Sequence, residues 1–390
     1  MTRIIIISAI MVLGFNLFAQ NTIDTVLKEI EKNNTSLSAI RKNINADKIG
    51  NKTGLNPRNP EVEFNYLWGN PSVIGNRTDF NIRQSFDFPT AYSYKSQISD
   101  MKNEQAELEY KKQRNEVLFQ ARVVCLKLTY YNALMVELSK RRVSAMQVAD
   151  AHKVKYSVGD VGILEYNKSQ INLLNVTKEW ENTGIERNAV LTELANLNGG
   201  ISINFTDSLF SNQTIPADFE QWFTTVEANI PLLQWLKHEI DITTKEVKLN
   251  SALSLPKFYG GFMSEKIIGQ QFQGVTIGTT IPLWENKNTV KYVKAKAIAI
   301  QSIEADAKLQ FYNNLKAIHA RVIALQRSVS DYRDKLTLYS NSDLLEKAFF
   351  KGEISLAEYI YELSLFYESV DKLLEMEKNF NVALAEMMKF

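Results

Sequence analysis

Disulfides are the first thing the sequence rules out: Cys125 is its only cysteine, so no intrachain bridge can form. It stands in the apolar run VVCLKL and reads as a small buried hydrophobe. Charge of one sign is equally scarce. Forty-five basic residues face forty-four acidic ones, a net charge of +1, which removes the basic footprint that a nucleic-acid partner requires. Past residue 20 there is no run of eighteen apolar residues, so the mature chain carries no obvious transmembrane helix. The histidines, His152, His238 and His319, fall one to a helical stretch, without the spacing of a metal site. Neither a G-x-S-x-G elbow nor a phosphate-binding glycine loop occurs. Acid pairs such as Asp331/Asp334 and Glu375/Glu377 read as solvated or lumen-facing helix charges. These absences argue against an enzyme and against a bound cofactor or metal.

The most informative absence is local. Proline and glycine, which end helices, are missing from residues 91–155 and again from 285–348. At about 1.5 Å per residue, roughly 65 residues make a rod of roughly 95 Å, about five times the ordinary helix length. Rods of that length persist by packing against other rods.

What is present is a short phrase used twice. YSVGDVGILEY at 156–166 and FFKGEISLAEY at 349–359 align at a shift of 193 residues, which puts Gly159 on Gly352, Asp160 on Glu353, Glu165 on Glu358 and Tyr166 on Tyr359. The same shift carries Phe88-Pro89 onto Ile281-Pro282, and Val190, Leu191, Glu193 and Leu194 onto Ala383, Leu384, Glu386 and Met387. One offset shared by separate landmarks implies duplication of a whole structural unit. Residues 21–200 form the first copy, 201–220 a linker and 221–390 the second. Residues 1–20, with Arg3 before an apolar stretch and Ala19 near its end, read as a secretory signal peptide, a membrane anchor being the alternative.

Each copy reads as short helix, two-strand hairpin, long helix, turn, long helix. The first short helix is periodic from residue 23 to about 50, and the second from 226 to 253. The first copy has strands about 61–68 and 79–88 and a helical hairpin over 90–198; the second has strands about 256–264 and 274–283 and a hairpin over 284–390. Val62, Phe64, Tyr66 and Trp68 alternate with Glu61, Glu63 and Asn65. Phe80, Ile82, Phe86 and Phe88 likewise alternate with Asp79, Asn81, Arg83, Ser85 and Asp87.

Four strands with one apolar face cannot close a membrane barrel, which needs at least about eight in a single chain. Open edges in hydrocarbon cost several kcal/mol per unpaired group. Three chains would contribute twelve strands and leave no edge. The expected fold is therefore mainly α with a small transmembrane β part: a trimeric twelve-stranded β-barrel continued by a long α-helical barrel. Tyr66, Trp68, Phe80, Phe86, Phe88, Phe258 and Phe262 become candidates for lipid-facing or interface-belt positions. Glu63, Asp79, Arg83 and Asp87 would face a wet lumen. At the turns, Gly159 and Gly352 permit the backbone reversal, while Asp160 and Glu353 suit the start of the returning helix. Both turns would lie together at the far end of the tube.

From about residue 23 to 390 the chain resembles the TolC-type outer membrane efflux protein family. The doubled aromatic, glycine and turn pattern at 156–166 and 349–359 carries the likeness, with the strand-into-helix junctions Phe86-Asp87-Phe88-Pro89 and Thr280-Ile281-Pro282-Leu283. The family's NP-x-L helix start is matched loosely at Asn34 and Asn229, and Gly162-Ile163-Leu164 departs from its usual aspartate-leucine pair after the turn glycine. The resemblance implies a homotrimer anchored in outer-membrane lipid with its helices in the periplasm. It would be the passive exit channel of a tripartite efflux pump, engaged by a periplasmic adaptor (membrane fusion) protein and fed by an inner-membrane transporter, the RND class being one option. Gly159, Asp160, Gly352 and Glu353 would then meet the adaptor, and Glu165 and Glu358 are gate candidates. The alternative is a periplasmic coiled-coil adaptor or structural interaction protein without a channel, which needs only one helical hairpin. Nothing in the residues specifies the cargo.

Overall fold

Asparagine and proline punctuate the chain before any long element begins. The computed structural model describes residues 22–211 and 214–389; the signal-peptide expectation falls outside them. The first periodic stretch is split into α1 (Ile23–Asn33) and α2 (Thr35–Gly50). Asn34 is extended there, and its side chain accepts the Leu37 N–H at 2.8 Å, a local bond that starts a new helix inside an unbroken apolar pattern.

Strand β1 (Glu61–Leu67) and strand β2 (Arg77–Phe86) follow, then α3 (Pro89–Ser157), 69 residues without a break. Strand β2 starts and ends two residues before the expected 79–88. Its end is diverted by Asp87, whose N–H donates to the Tyr92 hydroxyl at 2.9 Å and whose carboxylate accepts from Lys95 at 2.9 Å. Phe88 consequently lies beyond the strand, half-buried. The returning helix α4 (Ile163–Leu197) ends at Asn198-Gly199-Gly200, where both glycines have positive φ.

In the second half, α5 (Phe219–Glu227) and α6 (Pro231–Leu253) replace one short helix. Asp218 caps α5 by accepting the Gln221 N–H at 3.0 Å, and Pro231 opens α6. Strands β3 (Lys257–Ile267) and β4 (Gln270–Thr280) run closer together than the expected 256–264 and 274–283. Ile267 pairs with Gln270, so only Ile268 and Gly269 turn the chain, with Gly269 at φ 71. The expected second rod does not start at 284. Residues 281–288 turn first, with Asn288 in the left-handed region at φ 67.

The rod is also broken into α7 (Thr289–Leu338) and α8 (Ser342–Phe350) before α9 (Leu356–Met387) returns. No proline or glycine causes that break. The run Ser340-Asn341-Ser342-Asp343 stands there, four successive residues of low helix propensity.

The four strands form one antiparallel sheet in the order β1-β2-β3-β4. Two compact units share the chain, and each draws on both sequence copies. The first takes the residues up to Lys32, Ala121–Asn212 and Tyr332–Lys378; the second takes Asn33–Gln120, Gln213–Asp331 and the residues from Asn379 onward. In the first unit Val148, Leu356, Tyr359 and Leu363 form a core against Phe349 and Tyr367. Phe205, fully buried, pins the linker there, while Asn132 donates to the Phe205 and Asp207 carbonyls at 3.3 and 2.9 Å.

The second unit holds the sheet and two further cores. One is Phe219, Phe223, Ile230, Leu233 and Leu315, the other Ile318, Val322, Ala383, Leu384 and Met387. Each of these side chains except Ala383 contributes about 1.5–3 kcal/mol by leaving water. Cys125 is buried, and burial pushes its thiol up to about 12. Among the described residues no helix is long and apolar enough to cross a membrane.

Candidate functional site

Strand register decides what the sheet offers. Val62 lies opposite Ile82, Ile82 opposite Phe262 and Phe262 opposite Val275, so one apolar row crosses all four strands. Phe64 pairs with Phe80, Phe86 with Phe258 and Gly260 with Ile277, extending that face in both directions. It is not covered: Val62, Phe64, Val275 and Ile277 are 65%, 64%, 82% and 85% exposed. Trp68, just past β1, meets the Tyr66 ring edge-on at 5.6 Å, and the Asn76 amide donates to the Tyr66 hydroxyl at 2.6 Å. Aromatic rings with a polar tip at the end of an apolar face suit a lipid headgroup boundary.

The other face carries the charged residues, paired with one another, beside exposed Met263 and Phe272. Arg83 donates to Glu61 at 2.5 Å, and Arg77 reaches Asp79 at 2.8 Å and Glu265 at 3.2 Å. The Tyr259 ring also lies on this side, in space that only a glycine at 278 leaves open: a Cβ there would come within 2.2 Å of it. Strands β1 and β4 are the free edges of the sheet in a single chain. An open edge beside an exposed apolar face is a surface that water disfavours and that another strand would complete.

The two turns are built alike. Gly159 has φ 80 and Gly352 has φ 75, the left-handed region that a side chain resists. Asp160 N–H donates to Lys155 O at 2.9 Å and Gly159 N–H to Tyr156 O at 3.1 Å; Glu353 N–H donates to Ala348 O at 2.9 Å and Gly352 N–H to Phe349 O at 3.0 Å. Both are the Schellman closure of a helix C-terminus. Over each closure two rings stack. Tyr156 and Tyr166 have centroids 5.0 Å apart at 14°, and Phe349 and Tyr359 4.4 Å apart at 11°. These are the same ring pair under the 193-residue shift.

The turns differ in exposure and in how the next helix starts. In the second, Ser355 and Glu358 form a capping box: Ser355 N–H donates to the Glu358 carboxylate at 2.8 Å, and Glu358 N–H to the Ser355 hydroxyl at 3.3 Å. The Ser355 backbone N–H holds the Glu358 carboxyl below its ordinary range. In the first, Gly162 has no side chain to cap with. His152 stacks on Phe349 at 5.9 Å and 9°, and Tyr359 of the second turn is buried, whereas Val158 and Leu164 near Gly159 are each 74% exposed. Glu165 of the first turn and Gly352, Ser355 and His152 line one cavity of about 340 Å³, so the structure brings the two turns together. Asp160 is exposed, and Glu353 lies 3.9 Å from Lys351.

Sequence reasoning missed the ring stacks and the capping box. The repeated spacing of ten between aromatics and the S-x-x-E of 355–358 were the available signals. Among the described residues no group of three or more potential metal ligands occurs.

No protein-family model matches the chain, and no curated protein matches it in sequence. Solved structures do match. The CmeC outer membrane channel of Campylobacter jejuni is 14% identical with a TM-score of 0.71, over 94% of this chain and 84% of that one. CusC, solved in a study of folding and transmembrane channel formation, is 13% identical with a TM-score of 0.75, over 95% and 92%. The outer membrane protein VceC of Vibrio cholerae is 10% identical with a TM-score of 0.68, over 94% of each chain. A one-sided four-stranded sheet, paired long helices and near full-length superposition on these channels together establish that the chain has the TolC-type fold.

Proposed function

We propose that the chain is one protomer of a homotrimeric outer-membrane exit channel, the passive outer component of a tripartite efflux pump. Its two halves are copies of one unit. Twelve strands from three chains close a barrel whose apolar side faces lipid and whose polar side, with Arg83, Asp79 and Glu63, lines water. The helices continue that path in the periplasm. The observation that carries this reading is the exposed row Val62, Ile82, Phe262 and Val275, which ends at two unpaired strand edges. Folds of the same type in CmeC and CusC, named as an outer membrane channel and in connection with transmembrane channel formation, support it.

Tyr66, Trp68, Phe80, Phe86, Phe258 and Phe262 are assigned to the lipid face or its boundary, and half-buried Phe88 to the strand-to-helix junction. The turn residues Gly159, Asp160, Gly352 and Glu353 are assigned to contact with a periplasmic adaptor, which links the channel to an inner-membrane transporter. The exposed Val158 and Leu164 add apolar area at the first turn. Glu165 faces the cavity between the turns and is the better gate candidate, since Glu358 is engaged in its capping box. Such a duct needs no covalent step, only a wet path.

Reconstitution of the purified protein into planar bilayers tests the proposal. It expects discrete, water-filled conductance steps. A protein that stays soluble and leaves the bilayer electrically silent would overturn it.

A further inference from the structure

The 193-residue shift can be applied to contacts as well as to residues. Inside the chain, α3 of the first copy meets α9 of the second. Arg141 on α3, only 4% exposed, donates to both Asp371 oxygens at 2.6 and 2.9 Å and to Tyr367 O at 3.3 Å. Glu179 of α4 lies in the field of both charges; burial first, and the Asp371 charge second, hold its carboxyl above the ordinary range. One turn along α3, Ser144 faces the same space as the Tyr359 phenol. These residues line a cavity of about 290 Å³.

If copies alternate around a ring, a second junction of the same kind must join α7 of one chain to α4 of the next. The shift names its members. Arg141 becomes Asp334, Asp371 becomes Lys178, Glu179 becomes Lys372, Ser144 becomes Thr337 and Tyr359 becomes Tyr166. All three charges invert and the hydroxyl–phenol pair is kept. Asp334 is exposed and makes no ion pair among the described residues. Lys178, 61% exposed, holds only Glu181 of its own helix, at 2.7 Å. A surface pair at that spacing is worth a few tenths of a kcal/mol, so Lys178 is easily redirected.

Inversion makes two pairings attractive and two repulsive. First against second copy gives Arg141 with Asp371, or Asp334 with Lys178. First against first gives Arg141 facing Lys178, and second against second gives Asp334 facing Asp371. Like-charge juxtaposition at a junction rejects the wrong partner.

We propose that α7 of one protomer docks on α4 of a second copy of this chain through Asp334 with Lys178 and Thr337 with Tyr166. The inverted charges fix the alternation of first and second copies around the ring. This inference rests on the ring proposed above.

The test uses the full chain in membranes, carrying Asp334→Cys with Lys178→Cys and treated with a short bis-thiosulfonate, because ion-pair partners stand too far apart for a direct disulfide. Buried Cys125 stays silent. The double variant is expected to give linked dimers and trimers on non-reducing gels, and each single variant neither. If native mass shows three chains but no such links form, or links form only within a chain, the docking falls while the ring stands. If no oligomer exists, the ring and this inference fail together. Charge reversal supplies a second reading. Asp334→Lys is expected to lower the fraction of intact trimer several-fold at unchanged helix content, and Asp334→Lys with Lys178→Asp to restore it. A double variant no better than the single would overturn the pairing.

Discussion

A left-handed residue at 159 or 352 carries no penalty as glycine and about 1–2 kcal/mol as any residue with a Cβ. Open space surrounds both positions, so the backbone alone sets the cost. Gly352→Ala is therefore expected to lower unfolding free energy by about 1 kcal/mol in urea titrations, with Gly159→Ala similar. Gly352→Pro, which fixes φ near the opposite sign, should abolish export while the protein still reaches the outer membrane. Failure to insert would contradict the separation of turn from barrel. Glu358 gives a pH signature. Its carboxyl is held low by the Ser355 N–H, so the cap is intact above the ordinary glutamate range and is lost as pH falls through the lowered value. Amide exchange at Ser355 should thus accelerate, relative to Glu358→Gln, only once the pH has fallen below the ordinary glutamate range. At this scale the sequence showed what depends on residue type. The doubled glycines announced the reversals, while the ring stacks over them depend on a closure that no spacing rule reports.

Among the elements, the sheet carries the sharpest contrast, because adjacent β4 residues lie on opposite faces, which the proposed channel puts in opposite media. Ile277→Arg on the apolar side is expected to cost about 2–4 kcal/mol near the bilayer midplane and to block heat-modifiable folding on gels. Thr276→Arg, one residue away on the polar side, should fold and alter conductance instead. Equal tolerance of both would contradict the assigned faces. Alternation and long stretches free of helix breakers made strands and rods legible. The interruptions were not, because neither uses proline or glycine: the Asn34 side chain caps α2, and residues 340–343, all weak helix formers, separate α7 from α8. The turn at Ile268-Gly269 was hidden by polar residues such as Lys266, Gln270 and Gln271, which belong to strands and look like loop.

For the whole molecule, the account depends on a single chain being an unfinished wall. Its apolar sheet face and two open edges are costly in water, a cost that the proposed closure of a barrel in lipid by further copies would remove. The trimer was inferred from strand number and not from any single residue, and the charges of α4 and α7 proposed to meet across copies gave no signal until the intrachain junction could be compared with its shifted counterpart. The most direct measurement is thiol accessibility along β4 in intact outer membranes, using Val275→Cys, Thr276→Cys, Ile277→Cys and Thr280→Cys with a charged, membrane-impermeant reagent. The account predicts a two-residue alternation, with Thr276→Cys and Thr280→Cys labelled through the lumen and Val275→Cys and Ile277→Cys protected by lipid. Uniform labelling of all four positions would contradict it.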